Sequence, residues 1–217
     1  MRRINKLTPD QVILDYINEN ISEAQKILDT NSAIPNDLLR KYNYAPLKEL
    51  IIREVSGKCV YCETKIMGNQ FGDLDHVIPK AKFIASHDAS GIFSHRNLTI
   101  CCSVCNNKKS NLGTTISLLS PYTNKPEHHI YYVGSQIYYS TPEGKKLILA
   151  LELDIRDDLI VNINKKLKEL HNLIYQFDTE RDPEVKALIK KRLLRESKKE
   201  MEYSLATFHF LKIHKLI

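Results

Sequence analysis

The sequence contains no long apolar run, no internal repeat and no low-complexity linker. A helix needs about 20 consecutive apolar residues to cross a bilayer, so the sequence predicts no transmembrane span. The segment from Met1 to Lys6 is basic but lacks the apolar stretch of a signal peptide. Together these absences predict a soluble cytoplasmic protein without a membrane partner. Hydrophobic residues still make up 42% of the 217 residues, which is enough to bury a core.

The charge balance is positive, with 32 Lys and Arg against 26 Asp and Glu and a net charge of +6. This is compatible with a polyanionic partner, although many basic proteins bind no nucleic acid. The densest basic cluster lies near the C-terminus. Acidic residues are interspersed there, so a solvated helix face is slightly favoured over a nucleic-acid track. The cluster consists of Lys190, Lys191, Arg192, Arg195, Lys198 and Lys199.

Cysteine is scarce: the chain has five, and four of them form two Cys-x-x-Cys pairs, Cys59 with Cys62 and Cys102 with Cys105. In a cytoplasmic chain such pairs indicate metal ligation before disulfides. Together they supply the four thiolates that structural Zn²⁺ binds in a tetrahedron. The alternative, two unrelated pairs of buried cysteines, is disfavoured because identical spacings rarely coincide in so cysteine-poor a chain. Cys101 is left over and is expected to be a small buried residue.

Composition and hydrophobic periodicity divide the chain into three regions. Residues 1–57 are predicted to be helical, with one helix from about 8 to 29 and another at 47–55. Residues 58–113 hold clustered cysteines, turn residues and short segments in place of long periodic runs. Residues 114–217 return to helical periodicity after a hairpin. The predicted fold class is α+β, with a small mixed core between helical flanks.

The predicted elements of the middle region are a strand at 73–78, a strand at 97–101 and a helix after Cys105. In the last region Gly134-Ser135 is the two-residue turn of the predicted hairpin. Amphipathic spacing then predicts helices towards the C-terminus. They are expected at residues 143–153, 159–177, 183–199 and 205–211.

Four residues inside the cysteine framework have the side chains that phosphodiester hydrolysis requires. His76 is the candidate general base, because its ordinary pKa near 6.5 lets it accept a proton at neutral pH. Asp75 and Asn106 offer a carboxylate and an amide oxygen, which suit Mg²⁺ or Mn²⁺. Asn97 is a candidate to fix the orientation of the His76 ring through its backbone or side-chain amide. Each residue alone has an ordinary structural explanation, but their order between and at the cysteine pairs favours function.

Asp75 and His76 are neighbours in a predicted strand, where successive side chains point to opposite faces. Both can face one site only if the strand ends or bulges there. We therefore expect an interrupted strand, with a turn at Pro79.

Four other histidines compete for these roles. Contact of His87 or His95 with substrate, and metal binding by His128 or His129, stay open as the less favoured alternatives. Solvated loop positions are predicted for His87 and His95, and the start of the hairpin for His128 and His129.

The ordered motif resembles the HNH nuclease family. It reads Asp-His-x-x-Pro from Asp75, Asn-Leu from Asn97, and Cys-x-x-Cys-Asn-x-x-Lys from Cys102. The resemblance implies a zinc-stabilised ββα-metal core in which Asp75 and Asn106 bind the catalytic cation, His76 activates water and Asn97 is the central asparagine. Asn106 stands where many members have histidine, which lowers the expected metal affinity. Three lysines become candidates for contact with nucleic acid: Lys80, Lys108 and Lys109.

A wider resemblance covers roughly residues 45–175. The segment Gly-Lys-Cys-Val-Tyr-Cys-Glu from Gly57 and the run from Leu118 to Tyr122 are similar to the nuclease subunit of Septu-type anti-phage systems and of retron-linked relatives. Those subunits act with an ABC-type ATPase. The resemblance therefore implies a hetero-oligomer with such an ATPase, docked through the helical flanks.

Two classes of function remain open. The first is a metal-dependent endonuclease that cleaves nucleic acid, DNA being favoured over RNA, under the control of an ATPase. The second is a non-catalytic zinc-stabilised module that binds nucleic acid or docks a partner. Asp75-His76 with Asn97 and Asn106 favours the nuclease, because the second class needs none of these residues.

Overall fold

A computed structural model describes residues 1–66, 72–110 and 118–217. The chain divides into two compact units. The predicted core, residues 58–113, is described only in part. Its residues 67–71 and 111–113 lie outside the described residues. The N-terminal unit comprises Ile4–Val60 and Ile66–Leu118, and the C-terminal unit comprises Met1–Arg3, Tyr61–Lys65 and Leu119–Ile217.

The N-terminal unit begins with three helices: α1 (Gln11–Asp29), α2 (Asn36–Arg40) and α3 (Ala45–Glu54). The predicted first helix is confirmed, but it starts later than residue 8 because Asp10 forms its N-cap, with a carboxylate that accepts a hydrogen bond from the Ile13 amide at 2.9 Å. One apolar stripe of α1 is buried, as the helical spacing predicts. It contains Ile13, Ile17, Ala24 and Leu28.

Two short antiparallel strands form the centre of this unit. They are β1 (Asp73–His76) and β2 (Leu98–Cys101), with Asp75 opposite Thr99 and His76 opposite Leu98. Both predicted strands are confirmed, and β1 is shorter than predicted because its pairing stops at His76. Burial of all four residues of β2 shows that this strand is part of the core.

Three helices surround the strand pair. Between the strands lie α4 (Lys80–Ala85) and α5 (Ser90–Phe93), and α6 (Ser103–Ser110) follows β2. α3 packs on β2, α6 on β1, and α1 on α5. Gly91 allows α5 to approach α4, since a Cβ at this position would lie 2.1 Å from the Phe83 ring. Two helices that precede the cysteine framework, α1 and α3, therefore pack on elements that lie within it.

The C-terminal unit contains the predicted hairpin, β3 (Ile130–Val133) paired with β4 (Gln136–Tyr139). Gly134 occupies the turn with φ of +59°, a conformation that glycine adopts without strain. Four helices follow, and none of the helices in the described part of the chain is long and apolar enough to cross a membrane. They are α7 (Pro142–Leu151), α8 (Asp157–Thr179), α9 (Pro183–Glu196) and α10 (Ser204–Ile213).

The C-terminal helices agree with the predicted amphipathic patterns. α8 buries a stripe that runs from Leu159 to Ile174. The predicted helix 183–199 ends earlier, at Glu196. α7 packs on β4 and α10 packs on β3, so the inner face of the hairpin is covered.

Candidate active site and metal centre

The four cysteines of the two Cys-x-x-Cys pairs lie together. The Sγ atoms of Cys59, Cys62, Cys102 and Cys105 are all within 4.8 Å of one another, and all four residues are buried. Zn–S bonds of about 2.3 Å in a tetrahedron separate the sulfurs by about 3.8 Å, so this spacing fits one zinc ion. The cysteines are free of disulfides. The donor set is that of a closed structural zinc site.

Local structure explains how the two cysteine pairs are placed. The Val60 amide donates to the Ile100 carbonyl at 3.1 Å, which ties the first pair to β2. Cys102 directly follows β2, and α6 begins at the next residue, so Cys105 is buried in the first turn of that helix. A helix N-terminus stabilises a thiolate.

Cys101 is the buried small residue that the sequence predicts. It is fully buried and does not belong to the four-cysteine cluster. Burial raises the pKa of its thiol well above the ordinary value, which makes it a poor metal ligand.

A cleft of about 370 Å³ lies beside β1 in the N-terminal unit. Five of the seven residues predicted for catalysis or nucleic-acid contact line it, whereas Asn97 and Lys108 do not line it. Both Asp75 and His76 reach the cleft, because His76 is the last residue of β1 and the alternation of the strand stops there. The lining residues are Tyr42, Leu74, Asp75, His76, Pro79, Lys80, Ala81, Asn106, Lys109 and Ser110.

The His76 ring is held on two sides. Its Nε2 atom lies 2.8 Å from the Ile92 carbonyl oxygen, and the Tyr42 ring meets it edge to face with 4.6 Å between centroids. A carbonyl only accepts, so this contact assigns the hydrogen to Nε2 and leaves Nδ1 as the nitrogen that can take up a proton. Burial lowers the pKa of His76, which keeps the ring neutral at neutral pH. These are the properties of a general base.

Asn97 is buried, and its side chain connects two backbone segments. It accepts from the Ile78 amide at 2.8 Å and donates to the carbonyls of Ile78 at 2.9 Å and Gly91 at 2.7 Å. These bonds fix the chain just after β1 against α5. The His76 ring donates its hydrogen bond to the carbonyl of Ile92, the neighbour of Gly91. Asn97 therefore acts on the segments around His76 and not on the ring itself.

Asp75 and Asn106 approach from β1 and α6. Lys109 pairs with Asp75, with Nζ 2.8 Å from Oδ1, and also donates to the His76 carbonyl. The Asn106 amide nitrogen donates to the Asp73 carboxylate at 3.2 Å, which leaves its amide oxygen as an acceptor. Asp75 and Asn106 thus offer two hard oxygens in one cleft, a donor set that suits Mg²⁺ or Mn²⁺ completed by water and phosphate.

Three contributors were missed by sequence reasoning: Tyr42, Asp73 and the Ile92 carbonyl. Tyr42 lies outside the cysteine framework, and no local pattern links it to His76. The carbonyl of Ile92 is a backbone group that any residue supplies. Only Asp73 carries a signal, an acidic residue two positions before Asp75 on the same side of the strand.

The other histidines lie outside the cleft. His87 is exposed, and its ring contacts Asn31 at 3.1 Å. The ring of His129 contacts Thr141 at the base of the hairpin, which agrees with the prediction, and His128 is exposed. His95 is not a solvated loop residue as predicted: it begins a short 3-10 helix and is half-buried.

His95 makes stability depend on pH. Burial, with Lys6 and Arg96 nearby, lowers its pKa to about 4. His95 therefore takes up a proton near pH 6.5 in the unfolded chain but only near pH 4 in the folded chain. The contribution of neutral His95 to folding stability is fully present above pH 6.5 and is lost as the pH falls towards 4. After allowance for solvent screening of a half-exposed ring, we expect wild type to lose about 1–2 kcal/mol more than His95→Gln between pH 7.5 and 5.

Chemical unfolding at the two pH values measures this difference. His87→Gln, at an exposed histidine, is the control and should retain the wild-type pH dependence. An equal loss in wild type and His95→Gln would contradict the prediction.

The comparisons with known proteins agree with this geometry. The family model of the HNH endonucleases matches residues 59–112, which contain the four clustered cysteines, both strands and the residues that we assign to water activation and cation binding. The match supports the HNH family for this part of the chain and hence a nuclease that binds nucleic acid. Neither a search of curated proteins nor a search of solved structures gave a significant match.

Proposed function

We propose that the protein is a metal-dependent endonuclease in which His76 is the general base. One observation carries the proposal: a buried neutral histidine, bonded through Nε2 to the Ile92 carbonyl, shares a cleft with the oxygens of Asp75 and Asn106. The zinc cysteines hold the strands and α6 that carry these residues. Zinc itself has no part in the chemistry, because its four ligands leave no open position.

In this mechanism His76 acts on a water molecule beside the phosphodiester. Nδ1 takes a proton from the water as its oxygen bonds to phosphorus, the P–O bond to the leaving group breaks, and the departing oxygen gains a proton from solvent. Asp75 and Asn106 would hold a divalent cation, which would stabilise the charge that develops on the phosphate. Lys80 lines the cleft and adds positive charge near the phosphates.

Cation dependence tests the assignment of Asp75. We expect wild type to cleave plasmid DNA with Mg²⁺ or Mn²⁺ and to stop when the added cation is omitted. Asp75→Asn keeps the shape but removes the charge, so cleavage at limiting Mg²⁺ should fall by about 10–100-fold and recover partly at high Mg²⁺.

Asp15→Asn is the matched control, because Asp15 is an exposed carboxylate on α1 that bonds to Gln11 at 2.7 Å. It should cleave as wild type does. A cation requirement that is identical in wild type and Asp75→Asn would remove Asp75 from the metal site. An RNA substrate of the same sequence, assayed in parallel, decides between DNA, which we favour, and RNA.

The alternative function is a zinc-stabilised module that binds nucleic acid or a partner without cleaving. The ion pair of Lys109 with Asp75 favours it, since this carboxylate is already neutralised within the protein. In an endonuclease, a cation bound at Asp75 would have to displace Lys109, whose ammonium could then contact the phosphate. A protein that binds DNA with the same affinity with or without Mg²⁺, and never cleaves it, would establish the alternative.

We further propose that the protein is the effector subunit of a cytoplasmic anti-phage complex that an ABC-type ATPase controls. The resemblance of residues 45–175 to Septu-type and retron-linked nuclease subunits supports this role. Exposed apolar side chains on the C-terminal helices offer a docking surface: Val161, Tyr175 and Leu188 are 63–68% exposed. The neighbouring reading frames test the proposal. An adjacent gene for an ABC-type ATPase or a reverse transcriptase supports it, and the absence of both removes its basis.

A further inference from the structure

Tyr42 stands beside His76 although it lies outside the segment that matches the HNH family. It occupies the turn between α2 and α3, is half-buried, and lines the same cleft as His76 and Asp75. The planes of the two rings meet at 75° with 4.6 Å between centroids, an edge-to-face geometry. On Tyr42 itself, the ammonium of Lys80 lies 5.7 Å from the ring centroid.

We propose that Tyr42 is a positioning residue of the active site, whose ring holds the imidazole of His76 in the orientation that water activation requires. The inference rests on the proposed function. Tyr42 acts through the other ring and does not itself touch the reacting atoms.

The need for a second support follows from how His76 is bound. One hydrogen bond from Nε2 to the Ile92 carbonyl fixes one end of the imidazole, but a single hydrogen bond does not by itself set the tilt of a ring about that bond. A ring packed edge to face against the imidazole removes this freedom. Because proton transfer depends on distance and direction, a tilt that moves Nδ1 by about 1 Å lowers the rate by up to about 100-fold.

The support depends on the ring of Tyr42 and not on its hydroxyl group. The ammonium of Lys80 lies over the face of the Tyr42 ring, and burial raises the pKa of the hydroxyl, which stays protonated. Phenylalanine at position 42 keeps both ring contacts. Leucine keeps an apolar side chain but removes them.

Steady-state cleavage of a DNA substrate with Mg²⁺ separates these two changes. We expect Tyr42→Phe to keep kcat within about twofold of wild type and Tyr42→Leu to lower kcat by about 10–100-fold, with KM changed by less than about threefold. The matched controls are Tyr44→Phe and Tyr44→Leu. Tyr44 is two residues away and also half-buried, but it stacks on Tyr16 with 4.0 Å between centroids and does not line the cleft.

A second measurement does not depend on catalysis. In ¹³C-histidine-labelled protein, the imidazole signal of His76 is the one that disappears in His76→Ala. It should move in Tyr42→Leu, because the ring current of Tyr42 is lost, and stay in place in Tyr42→Phe and Tyr44→Leu. The number of signals also reports whether each variant is folded.

Three results would overturn the inference. They are equal losses of kcat in Tyr42→Phe and Tyr42→Leu, a change in KM alone, and a His76 signal that does not respond to Tyr42→Leu. If wild type cleaves no substrate with any cation, the proposed function fails, while the histidine signal still decides whether the Tyr42 ring packs on His76.

Discussion

His76→Ala should lower the rate of nucleic-acid cleavage by about 10²–10⁴-fold, the usual contribution of a general base. The variant removes the nitrogen that accepts the proton of the attacking water. It leaves the oxygens of Asp75 and Asn106 in place, so the affinity for DNA should change little. The measurement is single-turnover cleavage of a plasmid with Mg²⁺, where neither product release nor substrate binding limits the rate.

His87→Ala is the matched control, because His87 is an exposed histidine of the same unit whose ring contacts Asn31 and does not line the cleft. It should cleave at the wild-type rate. Zinc content and circular dichroism of both variants show whether the fold is retained. Equal cleavage by wild type and a folded His76→Ala would exclude His76 as the base. If neither protein cleaves, the result supports the non-catalytic alternative.

Removal of zinc should unfold the segment around the cysteines. The apparent binding free energy of structural zinc in small domains is about 10–16 kcal/mol, whereas a whole domain is stable by about 5–15 kcal/mol. The loss of one thiolate should therefore cost most of the stability. We expect Cys105→Ala to bind no zinc at stoichiometric metal and to lose helical signal and its cooperative thermal transition.

Cys101→Ala is the matched control, since Cys101 is equally buried and adjacent to the ligand Cys102 but is not one of the four clustered residues. It should retain one zinc per chain, with a modest loss of stability from the smaller side chain. The two variants are compared by metal analysis and calorimetry. Full zinc occupancy in Cys105→Ala, or loss of zinc in Cys101→Ala, would contradict the assigned ligand set.

These two predictions also separate the two metals. A weak chelator that removes only Mg²⁺ should stop cleavage while the calorimetric transition stays unchanged. A strong chelator that also removes zinc should abolish both. Because we propose that one metal supports chemistry and the other supports the fold, a single chelation experiment cannot distinguish them unless stability is measured as well.

The sequence predicts the elements whose signals are local. The two Cys-x-x-Cys pairs indicate a zinc site because the spacing itself brings thiolates together, and the four sulfurs are indeed clustered. The periodicity of α1 and α8 predicts long helices because their buried stripes extend over several turns. The end of β1 at His76 follows from the need for Asp75 and His76 to share one site.

Features that depend on distant contacts could not be predicted. α4 and α5 are too short to show a helical period, although α5 carries the Ile92 carbonyl that binds His76. Tyr42 reaches the site only through the packing of the N-terminal helices. The lowered pKa of His95 likewise depends in part on the charge of Lys6, which lies far away in the sequence.

Helices from outside residues 59–112, the segment that matches the HNH family model, pack on the elements of that segment and limit how far it can be transferred to another protein. α3 covers β2, and α1 covers α5, the helix whose carbonyl orients His76. Lys6 reinforces this cover, because it bonds to Glu54 at the end of α3 and to the carbonyl of Leu98 in β2. A fragment trimmed to residues 59–112 would expose these apolar faces to water. Fusions or transplants that aim to move the activity into another protein therefore need the preceding helices as well as the motif.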